Sequence, residues 1–199
     1  MRQRRMRGFS LLEMMAVLGI AIIVAAISFM TLQPTLKGSR VINAYNITLS
    51  ALRQARDISV AQRQDYYVTF SNAAVPNTIT ITQGGTGIVV RSYTIPTDVA
   101  YAVVTGIPTA AGTTPDGFGL GAIPIDFDWN VAGGNNNVIY FYPDGSGKDA
   151  LGYTNNGVIY IARPGELYSS HAITVWGATG RIRGWRLYNN AGTPYWREM

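Results

Sequence analysis

GFSLLEMMAVLGIAIIVAAISFM, Gly8 to Met30, is almost wholly apolar, yet it carries one carboxylate, Glu13, close to its start. From Met14 to Leu36 the chain runs 23 residues without a charge, and about 20 apolar residues suffice for a helix to cross a hydrocarbon core. An ionised side chain at the bilayer centre costs at least about 2.5–3.5 kcal/mol, so the acid calls for a partner or a route to water. Ahead of it stand Arg2, Arg4, Arg5 and Arg7 with no acid beside them. Arginine-rich flanks stay on the cytoplasmic side of a membrane segment, which places the N-terminus in the cytoplasm. A secretory signal has an apolar region of about 7–15 residues that ends in a small-residue cleavage site. Here the run is longer, and the small residue, Gly8, precedes it.

The net charge of +5 is mostly positional: outside the four leader arginines the chain carries 12 basic and 11 acidic residues. The high isoelectric point is therefore poor evidence for a nucleic-acid-binding body and better evidence for a cytoplasmic anchor. There is no cysteine, which excludes disulfides, thiolate zinc sites and thiol nucleophiles. With 199 residues, the chain has room for one domain and an appendage.

The arginine-rich leader, then Gly8-Phe9-Ser10-Leu11-Leu12-Glu13, then a long apolar helix, resembles the class III signal of type IV pilins and type II secretion pseudopilins. The resemblance implies that prepilin peptidase cuts between Gly8 and Phe9 and that Phe9 becomes the methylated N-terminus. Glu13 is then the fifth residue of the processed chain, the place where the family keeps its glutamate. The new α-amino group of Phe9 supplies the cation that the acid lacks. Within a filament, Glu13 of one subunit would pair with the amine of its neighbour, since a lone desolvated charge is penalised and a pair is favoured. The implied partners are the peptidase, other pilin or pseudopilin subunits and an inner-membrane assembly platform. The implied location is the bacterial inner membrane, crossed once, with a periplasmic C-terminal domain, and afterwards the filament.

Beyond the membrane segment, Ile42, Tyr45, Leu49, Leu52, Ala55 and Ile58 recur at spacings of three or four, one face of an amphipathic helix. Arg53, Arg56, Asp57 and Arg63 fall largely off that stripe. The helix is expected from about Phe9 to Gln64, with a kink or loosened stretch at Pro34 and Gly38. The organisation expected is a leader over 1–8, a transmembrane assembly helix over 9–37 and a periplasmic domain over 38–199. After Gln64 the texture becomes β-branched and aromatic, with strands expected at 65–70, 77–82, 88–95, 99–104, 137–143, 157–162, 172–176 and 181–188. Glycine- and asparagine-rich stretches separate them. The stretch 105–122 is long for a structureless loop, which marks it as functional or mobile. One long helix with antiparallel sheets is an α+β fold.

Three stretches of the body, ALRQARDISVAQRQDYYVTF (51–70), FYPDGSG (141–147) before GVIYIA, and ITVWGATGRIRGWRL (173–187), resemble minor pseudopilins of the GspH/FimT class. The resemblance leaves out roughly 71–136.

Little in the chain points to catalysis. His171 is the single histidine, and no nucleophile partner, Walker loop, dinucleotide fingerprint or HExxH pattern accompanies it. No catalytic residue, cofactor or metal is expected. Asp144 and Asp149 around a glycine-rich turn, with Asp126 and Asp128 in DFD, are oxygen donors suited to calcium, but a plain β-turn explains that spacing equally well. The remaining constellation is GRIRGWR. Strand alternation sends Arg181 and Arg183 to one face, with Arg186, Trp196 and Arg197 nearby in sequence. Guanidinium groups beside aromatics hold phosphates and stack on bases, and the pattern looks like the one through which FimT-type pilins of competent bacteria contact DNA. A solvated strand face or a subunit contact is the plainer alternative. The sequence thus leads to a minor pilin or pseudopilin, with a DNA-binding minor pilin acting in natural transformation as the alternative.

Overall fold

The computed structural model describes residues 10–72, 75–119, 121, 123–127 and 137–199, with the backbone alone for 30–35. The leader, Gly8 and Phe9 lie outside the described residues, as do Asp128 and the stretch 128–136. The chain divides into two compact units, Met1–Ser39 and Arg40–Met199.

Helix α1 spans Leu11–Gln62, so neither Pro34 nor Gly38 ends it. In the first unit, Leu11–Phe29 is long and apolar enough to cross a membrane, and every side chain along it is exposed. A helix that is apolar all round and covered by nothing among the described residues requires a partner such as lipid or other helices.

In the second unit the rest of α1 carries one buried line: Val41, Ala44, Tyr45, Thr48, Ala51, Leu52, Ala55 and Ser59. The stripe expected from the sequence is rotated slightly. Tyr45, Leu52 and Ala55 are on the buried line, Leu49 and Ile58 flank it half-buried, and Ile42 is exposed. Small residues occupy the line of closest approach because they let the helix backbone come near the sheets. Hydropathy alone points to the larger aliphatics beside them.

Eleven strands are present among the described residues: β1 Tyr66–Ser71, β2 Thr78–Gln83, β3 Val89–Thr94, β4 Ala100–Tyr101, β5 Ile125–Phe127, β6 Val138–Phe141, β7 Gly147–Lys148, β8 Gly157–Ala162, β9 His171–Trp176, β10 Arg181–Asn190 and β11 Thr193–Glu198. They form two antiparallel sheets, β3-β2-β1-β6-β7 and β11-β10-β9-β8-β4, with β5 also paired to β8. The main core lies where α1 meets both sheets, through Val68, Phe70, Ile79, Ile139, Ile159 and Ile173. A Cβ on Gly184 of β10 would collide with the Tyr45 hydroxyl, so glycine there leaves the room that this helix–sheet contact occupies.

A second, smaller core lies on the other face of the second sheet, where Val158, Tyr160, Ala172, Leu187 and Trp196 meet Ile107 and Phe118. The long stretch after β4 is the cover for this face, and it includes a single 3₁₀ turn at Pro115–Gly117. That explains why β8, GVIYIA, is buried at all six positions: it has packed matter on both sides, and period-two alternation is not required of it.

Candidate functional site

Glu13 sits in the first turn of α1, and the Ser10 carbonyl accepts from the N–H groups of Glu13 (3.0 Å) and Met14 (3.1 Å). An acid in the first turn gains about 0.3–1 kcal/mol from the helix dipole. That gain is small beside the cost of about 2.5–3.5 kcal/mol for a charge at the bilayer centre, and Glu13 stands at the end of the span instead. Its exposed neighbours Leu11, Leu12, Met14 and Met15 give it an apolar setting.

The three arginines of GRIRGWR are not gathered into one cluster. Arg183 donates from Nη1 to Asp116 Oδ1 at 2.8 Å, and its Nε lies 3.4 Å from Glu198 Oε1. The Asp116 side chain is 4% exposed and that of Arg183 23%, so the pair is largely desolvated and the charge of Arg183 is met inside the fold. The same carboxylate accepts the Thr174 hydroxyl at 2.5 Å, and Thr174 Oγ1 in turn accepts the Trp185 indole N–H at 3.1 Å. Asp116 adopts φ +54° within the 3₁₀ turn, a left-handed conformation that a short polar side chain tolerates better than most. Arg186 lies on the opposite strand face, its guanidinium carbon 5.4 Å from the centre of the Tyr188 ring. Arg181 is exposed and enters no ion pair among the described residues.

Of the acids considered for calcium, Asp126 lies in β5, and Asp144 and Asp149 serve turns. Asp144 accepts the Ser146 hydroxyl (2.5 Å) and backbone N–H (2.9 Å). These bonds, the hydroxyl first, together with Lys148, hold its carboxyl below the usual range. Asp149 accepts the N–H groups of Leu151 and Tyr153, each at 2.8 Å. Among the described residues no three of His, Asp and Glu gather as a metal site would require.

His171 is buried, with Nδ1 at 2.8 Å from the Ser169 carbonyl and the Tyr45 ring 5.3 Å away. Burial, aided by Arg186 and opposed by the Ser169 bond, lowers its pKa below the ordinary 6.5. The unfolded chain therefore binds the proton more readily than the folded one. The stability from neutral His171 is fully present above about pH 6.5 and is lost as pH falls below it. The unfolding midpoint is accordingly expected to fall between pH 7 and pH 5, and His171→Gln should flatten that fall; an unchanged slope would refute the assignment.

The structure also shows a cleft with no clear sign in the sequence. It measures about 840 Å³ between the covering stretch and the β10–β11 hairpin, lined by Ile107, Pro108, Asp116, Trp185, Tyr195 and Trp196 among others. The signal was present as the aromatics of β10 and β11, but which strand face they shared depended on the cover.

No curated protein and no solved structure matches the chain. Residues 3–29 match the prokaryotic N-terminal methylation motif, the segment that holds Arg4, Arg5, Arg7, Gly8, Phe9, Glu13 and the membrane-length helix. The chain therefore carries the type IV pilin-like signal of a prepilin-processed protein.

Proposed function

We propose that this protein is a minor pilin or pseudopilin, a structural subunit of a type II secretion pseudopilus or a type IV pilus. The observation that carries the proposal is the fully exposed apolar helix Leu11–Phe29, charged only at Glu13 in its first turn and lying within the methylation motif at residues 3–29. Prepilin peptidase cuts after Gly8, and Phe9 is N-methylated. The first half of α1 holds the subunit in the inner membrane, crossing once, until an assembly platform draws it into a filament. There the apolar helix, which nothing among the described residues covers, is buried against neighbouring subunits, and Glu13 pairs with the amine of an adjacent Phe9. The body agrees with a subunit of the GspH/FimT class: α1 runs into β1, a glycine turn joins β6 to β7, and β8 to β11 close the fold.

The test is the mass of the mature chain isolated from membranes. The expected product begins at Phe9 and carries one added methyl group, and Gly8→Val should block the cut. An intact Met1, or a cut elsewhere than after Gly8, would overturn the proposal.

A further inference from the structure

The cleft of about 840 Å³ beside the covering stretch has a floor and a rim of different chemistry. Trp185 of β10 and Trp196 of β11 form the floor. Trp185 stands opposite Glu198, and Leu187 opposite Trp196, so the two indoles are diagonal neighbours on one face of the hairpin. Trp196 is 9% exposed. Trp185 is half-buried, and its indole N–H is already given to Thr174, which leaves its ring for contact. The rim carries hydroxyls: Thr109 and Thr113 from the covering stretch and Thr193 from the hairpin, all exposed. The Thr113 hydroxyl donates to the Ala110 carbonyl at 2.7 Å, and its lone pairs remain for a donor.

Beneath the rim, two polar groups lack partners among the described residues. One is Trp196 Nε1 and the other is the hydroxyl of Tyr160, whose ring centre lies 5.8 Å from that of Trp196. A buried donor left unmade is a standing cost that an acceptor oxygen removes. Asp116 is the single charged residue of the lining, and its carboxylate is met by Arg183 and Thr174. The cleft therefore has nothing to neutralise an anion and no free carboxylate for a cation. An extended strand added along β11 would meet Pro194, which has no N–H to give.

We infer that this cleft binds a neutral saccharide, one pyranose ring or a short chain of them. A pyranose has a flat face of C–H bonds that covers an indole ring, and an edge of hydroxyls that both donate and accept. The indole floor and the threonine rim match those two surfaces, and the Trp196 N–H calls for an acceptor oxygen. A hydrocarbon chain would leave the rim hydroxyls and the indole N–H unpaired. The volume falls within the roughly 300–1,000 Å³ of small-ligand sites. The inference does not depend on N-terminal processing or assembly.

The full chain in a polyoxyethylene detergent, which carries no sugar head group, is titrated to millimolar concentration with maltotriose, cellotriose and triacetylchitotriose. Binding is read by tryptophan fluorescence and by calorimetry. The expected result is saturable binding of at least one trisaccharide, unchanged between about 50 and 500 mM salt because no counterion is released. Ala110→Trp, exposed on the rim, should fill the cleft and abolish binding with the unfolding midpoint unchanged. Trp185→Leu should weaken binding by at least about tenfold. Trp196→Phe, which keeps a ring and removes the N–H, should weaken it by about threefold to tenfold. Trp176→Phe, on the same sheet but outside the cleft, should leave it unchanged. No saturable binding of any of the three, or full affinity in Ala110→Trp or in folded Trp185→Leu, would overturn the proposal. Tighter binding of a neutral decaproline peptide than of all three would also overturn it, by showing a proline-rich chain as the occupant.

Discussion

Glu13→Ala is expected to leave membrane insertion and leader cleavage intact while depleting the subunit from filaments by more than about a hundredfold. In the isolated membrane-bound subunit the burden of the acid is below the bilayer-centre cost of about 2.5–3.5 kcal/mol, because Glu13 lies in the first turn of the span, so its removal does not oppose insertion. In the filament the proposed pair with the Phe9 amine lies in low dielectric. Breaking such a pair by deleting one partner costs about 3–5 kcal/mol, and about 3 kcal/mol already exceeds a hundredfold in an equilibrium. The two effects have opposite signs in the two states, which separates this reading from general damage. The measurement is the ratio of subunit in sheared filaments to subunit in membranes, with N-terminal mass confirming the cut. Glu13→Asp should retain part of the ratio because the charge survives on a shorter arm. Normal incorporation of the Glu13→Ala chain would show that the acid is incidental.

Asp116→Ala is the substitution in the described body expected to cost most through charge. It leaves Arg183, 23% exposed, with only Glu198 at 3.4 Å. It also removes the acceptor for Thr174, which itself receives the Trp185 indole. Removing one partner of a largely buried pair costs about 3 kcal/mol at the lower end of the usual range, and the residual exposure of Arg183 argues for that end. For a chain of this size the unfolding midpoint should fall by roughly 6–12 °C, read by tryptophan fluorescence of the full chain in detergent. Adding Arg183→Met to Asp116→Ala should recover part of the loss, because the stranded charge is then gone. A fall of less than about 1 °C in Asp116→Ala would show that the pair does not hold the cover onto the second sheet.

Much of the fold was legible because its signals are local. The membrane helix is a matter of hydropathy and length, and most of the strands announce themselves through β-branched runs. β11, TPYWRE, was missed for a physical reason. Pro194 and two charges argue against a strand, yet Pro194 stands at a position of β11 where the missing N–H would face away from β10, opposite Asn189. The two-residue link Ala191-Gly192, with φ +49° and +92°, makes the tight hairpin that such an edge strand needs. β4 proved shorter than its apolar run, covering two residues, because the chain leaves the sheet there to form the cover.

By itself the sequence determined which segment is long and apolar enough to cross a membrane, where processing is expected, and that one long helix precedes antiparallel strands. These follow from composition and from spacings of a few residues. Only the tertiary structure decided which arginines are free. Arg183 and Arg181 are two residues apart and equivalent by alternation, but Arg183 meets Asp116, 67 residues away in the chain. Arg181 instead lines a cleft with Arg53 and Arg56 of the helix. Charge compensation depends on which distant segments the sheet order and the covering stretch bring within a few ångströms, and no local pattern encodes that.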